Sequence, residues 1–240
     1  MAEILGHRGA SNLAPQNTMA AFKKGIELGV DGFETDVHLT KDGEIVICHN
    51  YDICETSDGE GLIADMTLEE LRKYDFGSYF SEEFKGERIP TLDEFLEVSK
   101  GLKTVNLEIK EPAEKNDLVQ KTIDRVRAFK MEKQVIMSSF SIEIMEESKK
   151  IAPEIKTGFL YDMRSPLFHE LSADPVAFCK KHNLDALHPL VFLVDEEFVV
   201  KCRDAGIDVN VWTVNDKEGI ELLNEMGVNA IMTDVPELCL

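Results

Sequence analysis

Apolar residues in this chain recur at two spacings, and the two alternate from one end to the other. Residues 104–109, 135–138, 155–161, 185–188, 208–213 and 228–232 are short runs rich in Val, Ile, Leu and Phe. Such runs read as strands covered on both faces. Between them, apolar positions fall three and four apart, as on one face of a helix. This predicts helices over residues 117–129, 142–151, 174–182 and 195–205, and a helix capped by Asn215 that runs through Met226. A short turn over 234–238 closes the pattern.

The first half is less regular. Ile4 and Leu5 form a strand entering Gly6-His7-Arg8-Gly9. Asn17 or Thr18 caps a helix whose Met19, Phe22 and Ile26 face one way and which stops near Gly29. D-G-F-E-T-D-V-H-L then reads as a strand, K-D-G as a turn, and residues 44–48 as a second β run ending at His49. From Tyr51 to Pro90 the rhythm breaks. Thr67 and Thr91 each head a capping box, the second opening a helix to about Ser99. About eight strand–helix units result, which predicts a (β/α)8 TIM barrel. Residues 1–240 form one domain, with 51–90 inserted after the second strand region. A doubly wound open sheet is the alternative, weakened because no G-x-G-x-x-G follows the first strand.

Composition narrows the function. The net charge of −20 disfavours nucleic acid and anionic membrane surfaces as partners. No apolar stretch approaches the ~18 residues of a membrane span, and the N-terminus does not read as a signal peptide. The five cysteines are scattered without C-x-x-C, as expected of reduced thiols in a cytoplasmic protein. No stable membrane association is expected, and both monomer and dimer remain open.

In a barrel, chemistry gathers at the carboxyl ends of the strands. Those ends carry His7 and Arg8, then Glu34 and Asp36 two apart on one strand, then His49, then Glu108 and Lys110. A single such group is more often structural, but seven on one rim suit phosphodiester cleavage. The three carboxylates suit a hard divalent cation. Arg8 and Lys110 suit phosphate oxygens, and two histidines suit an acid and a base. Trp212 reads equally as a wall of the site or a barrel-core aromatic, and Phe140 likewise. His188 reads as a site residue or a structural one. His38 is set aside as pointing away from the Asp36 side, His169 and His182 as surface residues, and nothing demands Arg164.

These residues sit in recognisable motifs. H-R-G-A at His7, P-Q-N-T at Pro15, E-T-D-V at Glu34, H-N at His49, N-L-E-I-K at Asn106, V-W-T-V-N at Val211 and M-T-D-V-P at Met232 resemble, in order, the glycerophosphodiester phosphodiesterases. The resemblance implies a TIM barrel that hydrolyses glycerophosphodiesters such as glycerophosphocholine or glycerophosphoethanolamine to glycerol 3-phosphate and an alcohol. It implies one divalent cation, Mg²⁺ or Ca²⁺, on Glu34, Asp36 and Glu108. His7 and His49 become the acid/base pair, with Arg8 and Lys110 at the phosphate. The family usually has Glu where this chain has Gln16. Two other readings remain: a phosphodiesterase on lysophospholipid or phosphoinositide-like substrates, and a phosphodiester-binding protein without catalysis.

Overall fold

A computed structural model describes residues 1–239; residue 240 of the expected domain lies outside them. The chain runs β1 (Glu3–His7), α1 (Met19–Leu28), β2 (Gly32–Leu39), β3 (Ile45–Ile47), α2 (Leu68–Leu71), α3 (Leu92–Val98), β4 (Thr104–Ile109) and α4 (Leu118–Phe129). It continues through β5 (Val135–Ser139), α5 (Ile142–Ile151), β6 (Lys156–Tyr161), α6 (Phe168–Ala173), α7 (Pro175–His182) and β7 (Ala186–Pro189). It ends with α8 (Glu196–Asp204), β8 (Asp208–Val211), α9 (Lys217–Met226) and β9 (Ala230–Thr233).

Eight parallel strands, β1, β2 and β4 to β9, close on themselves because β1 pairs with both β9 and β2. This is the expected barrel and not an open sheet. The ninth strand, β3, is antiparallel to β2. β1 pairs with β2 only through Glu34, and β3 takes over that edge from Val37 to Leu39. The hairpin therefore rises above the end of β1 and carries His49, two residues beyond β3, over the barrel mouth.

The alternation along each strand explains the layers. Outward residues such as Val105, Leu107 and Ile109 of β4 pack on the helices in one large apolar core, which also holds Phe22, Phe33 and Phe95. Inward residues are strikingly different in kind: Glu34, Asp36, Asn106, Glu108, Ser138, His188 and Asn210 are all buried. Leu5, Ala230 and Met232, with Trp212 against them, form the small apolar cluster among them.

Both capping boxes form as expected, at Thr67 and Thr91. Residues 51–90 are not merely polar loop. Ile53, Ile63, Leu71, Phe76 and Ile89 pack with Val46 and Cys48 into a second apolar cluster, which seats the segment on the hairpin. Helix α6 was not expected; with six residues it is too short for a clear periodic signal. Of the two candidates for the α1 cap, Thr18 takes the position, whereas the α9 cap falls on Asp216, one residue beyond the expected Asn215. In each case the asparagine beside the cap donates to an acid at the barrel mouth.

Candidate active site

Strand register brings the predicted acids together. Asp36 lies beside Glu108 in the β2–β4 pair, and His7 beside Glu34 in the β1–β2 pair. Oxygens of Glu34, Asp36 and Glu108 all lie within 4.8 Å of one another, and all three residues are buried. That separation is what ligands at about 2.3–2.6 Å on different sides of one cation span. Glu34 Oε2 is buried and accepts no hydrogen bond; His7 Nε2 lies 3.7 Å away. A buried carboxylate oxygen without a donor is a destabilising arrangement unless a cation completes it. The donor set and the orphaned oxygen thus fit a hard divalent ion.

Lys110 answers part of the charge. Its Nζ lies 2.8 Å from Asp36 Oδ1 and 2.6 Å from Glu108 Oε1. Arg8 Nε lies 3.7 Å from Asp36 Oδ2, and Asn17 Nδ2 donates to that oxygen at 2.9 Å. Burial alone would raise the Asp36 pKa, but Lys110 and Arg8 outweigh it and hold the carboxyl below its ordinary range. Glu34 is pushed well above its ordinary value by burial and by the charges of Asp36 and Glu108. Glu108 is raised to about 7, chiefly by burial, with Lys110 opposing. Burial disfavours the Lys110 ammonium, yet its two acids keep it firmly protonated.

The two histidines have different partners. His7 Nδ1 is 2.6 Å from Asp234 Oδ1, so a proton on Nδ1 leaves Nε2 free to face the acids. Ser11 and Asn215 donate to Asp234 at 2.9 and 2.6 Å, and these bonds with His7 hold its carboxyl at about 2 despite burial. His49 Nδ1 is 2.7 Å from Asn50 Oδ1, an amide and not a carboxylate. Burial lowers the His49 pKa, with Asp36 opposing. Arg8 occupies the left-handed region with φ 59° and donates from a terminal nitrogen to Gln16 Oε1 at 2.6 Å.

A cavity of about 470 Å³ collects these groups: His7, Arg8, Glu34, His49, Glu108 and Trp212 all line it. Arg164 and Phe140 line it too, and Phe140 meets Trp212 edge to face at 5.6 Å. Trp212 is therefore a wall of the site as well as part of the inner apolar cluster. Lys110 lies behind the acids and lines a neighbouring cavity instead.

Other expectations need correction. His38 does not face away: positions 34, 36 and 38 share one side of a strand. Its ring is buried, 3.4 Å from the His49 carbonyl oxygen, and burial lowers its pKa to about 4. His182 is buried against Phe178 and pairs with Glu146 at 2.8 Å, so it is no surface residue. His188 is fully buried, 2.9 Å from the Asn210 amide, and burial pushes its pKa down to about 3. A Cβ at Gly158 would lie 2.2 Å from its ring, so the imidazole packs flat on β6. That makes it structural. Residue-by-residue reasoning missed Asp234, Asn17 and Asn215. Asp234 sat in the closing T-D-V-P motif, two positions beyond an inward Met232, which was the available signal.

The model of the "Glycerophosphoryl diester phosphodiesterase family" matches residues 7–238. The chain belongs to this family. A curated glycerophosphodiester phosphodiesterase of Caldanaerobacter subterraneus subsp. tengcongensis is 40% identical, covering 98% of this chain and 94% of the relative. The crystal structure of a glycerophosphodiester phosphodiesterase from Agrobacterium tumefaciens superposes with a TM-score of 0.86 at 27% identity, covering 99% and 98% of the two chains. An Oleispira antarctica phosphodiesterase, solved with its product sn-glycerol-3-phosphate, gives 0.84 at 29% identity, covering 99% and 94%. The family resemblance read from the motifs is borne out, and with it the expectation of a phosphodiesterase. No helix among the described residues is long and apolar enough to cross a membrane.

Proposed function

We propose that this chain acts as one catalytic domain and hydrolyses glycerophosphodiesters such as glycerophosphocholine and glycerophosphoethanolamine to glycerol 3-phosphate and the free alcohol. The observation that carries this reading is the orphaned Glu34 oxygen in a three-carboxylate cup that opens, with His7 and His49, into one cavity. Glu34, Asp36 and Glu108 would hold one divalent cation, Mg²⁺ or Ca²⁺. That ion supplies Lewis-acid stabilisation of charge on the phosphoryl oxygens.

The protein groups do the rest. Arg8 holds a phosphate oxygen from one side, oriented by its bond to Gln16. Lys110 neutralises two of the acids and contributes positive charge at the phosphate. One of His7 and His49 takes the proton from the attacking hydroxyl, water or the glycerol 2-hydroxyl, and the other donates a proton to the departing alkoxide. Asp234 is a positioning residue for His7: it fixes the tautomer that presents Nε2 to the cavity. Trp212 provides the apolar wall beside the glycerol carbons. Five free cysteines suit a reducing compartment, and we place the enzyme in the cytoplasm.

The test is a metal-free preparation assayed on a panel of glycerophosphodiesters and lysophosphatidylcholine, with Mg²⁺ and Ca²⁺ added back separately. Hydrolysis of the glycerophosphodiesters should vanish without metal and return with one or both ions. Full activity in the chelated protein, or cleavage of the lysolipid alone, would refute the reading.

A further inference from the structure

A second cavity opens from the same acidic cup. It has a volume of about 340 Å³ and lies among the segments that follow β3, β4 and β5. His49, Glu108 and Phe140 line both it and the 470 Å³ cavity, so the two meet at the proposed reacting position. A phosphodiester has two ester arms that leave phosphorus in different directions. With the glycerol arm against Trp212 in the larger cavity, the other arm falls into the smaller one.

The walls of the smaller cavity have a particular chemistry. Tyr51 and Phe140 offer aromatic rings, and Asp52 and Glu111 offer carboxylates. Each ring has one aromatic neighbour and keeps an exposed surface: Tyr51 meets His38 edge to face at 5.1 Å, and Phe140 meets Trp212 at 5.6 Å. The cation in this lining, Lys110, is already held by Asp36 and Glu108. Asp52 Oδ1 accepts from the Cys54 backbone N–H at 3.0 Å, and no lysine or arginine pairs with it among the described residues. Aromatic faces beside unneutralised carboxylates are the setting that attracts an organic ammonium.

We propose that this smaller cavity is the leaving-group subsite, and that it selects alcohols bearing a positive charge, primary or quaternary ammonium, over uncharged ones. The proposal rests on the glycerophosphodiesterase reading above. Tyr51 and Glu111 are the specificity-determining residues. The ammonium sits between the Tyr51 face and the Glu111 carboxylate while the bond from phosphorus to the alcohol oxygen breaks.

The experiment compares kcat/KM for glycerophosphocholine and glycerophosphoethanolamine with that for glycerophosphoglycerol and glycerophosphoinositol. It uses the metal-loaded protein and its Glu111→Gln and Tyr51→Leu variants. The wild type should favour the two cationic alcohols by about tenfold, and each variant should reduce that ratio by about threefold or more, as expected for a partly exposed cation contact. The ratio should also shrink as salt is raised. The variants separate the subsite from the long-range repulsion that any anionic substrate meets on a protein of this charge. A wild type without selectivity, or a ratio untouched in both variants, overturns the subsite while leaving the glycerophosphodiesterase reading in place. Failure to hydrolyse any of the four substrates overturns both.

Discussion

The two sides of the barrel interior bury polar groups in opposite ways. On β1, β2 and β4, the buried groups at the mouth are Glu34, Asp36, Glu108 and Lys110, with His7 and Arg8 beside them. On β7 and β8 they are His188 and Asn210, a neutral imidazole and an amide joined to each other. Depth is similar, yet the outcome differs because of neighbours. A lone buried imidazole responds to burial by giving up its proton. In the cluster of acids, Lys110 and Arg8 hold Asp36 ionised despite its burial, while burial and the neighbouring acids push Glu34 up. Each side keeps a buried atom without a partner, but of different kinds: Glu34 Oε2 is a carboxylate oxygen among other acids, and His188 Nδ1 belongs to a lone neutral ring. The grouped acids can therefore take up a cation, and the neutral side holds the shape of the barrel.

The comparison is broken most severely by emptying the charged side. His7→Ala or Glu34→Ala should lower kcat/KM for glycerophosphocholine by about 10²–10⁴-fold while circular dichroism and thermal unfolding report an intact barrel. Wild-type rates in both variants would remove the site assignment. Asp234→Asn should lower kcat by about tenfold or more with little change in KM, an effect between wild type and His7→Ala. It keeps the side chain's size while removing the carboxylate that sets the His7 tautomer.

The neutral side is probed through stability. The folded pKa of His188 is depressed to about 3, below its unfolded value. The unfolded chain therefore binds more protons, and stability falls as pH drops from about 7 towards 3. The contribution lost by pH 5 is about 2 kcal/mol for an unfolded pKa near 6.5. Urea unfolding at pH 7 and pH 5 should show this loss in the wild type and a shallower dependence in His188→Gln. An identical slope in both would show that His188 is not the buried neutral group described here. The smallest effect is expected at Gln16. Its amide oxygen already accepts from Arg8 at 2.6 Å. Gln16→Glu should therefore change kcat/KM by less than about threefold, since the orienting bond is kept and only its charge assistance differs.

Much of this was readable along the chain, and the misses have a common cause. Helices and strands were visible because each has one buried stripe or two buried faces, which periodicity records directly. The acids were visible because two residues on one strand share a side. Asn215 was misread as a cap, and Asn17 stood level with Thr18, because an asparagine before a helix has two uses that look alike in one dimension. Thr18 and Asp216 cap instead, which releases Asn17 to donate to Asp36 and Asn215 to donate to Asp234. Asp234 itself lies 227 residues from His7, and no local pattern links them.

Local chemistry along the chain set the alternation of strands and helices, the capping boxes and the identities of the reactive side chains, because each depends on neighbours a few positions away. Closure of the barrel decided the partnerships: Asp234 with His7, Lys110 with two acids, and His38 beneath the hairpin that carries His49. Asp234 and His7 lie at opposite ends of the chain and Lys110 reaches Asp36 from the next strand, and the strength of these contacts comes from exclusion of water, which exists only once the strands have met.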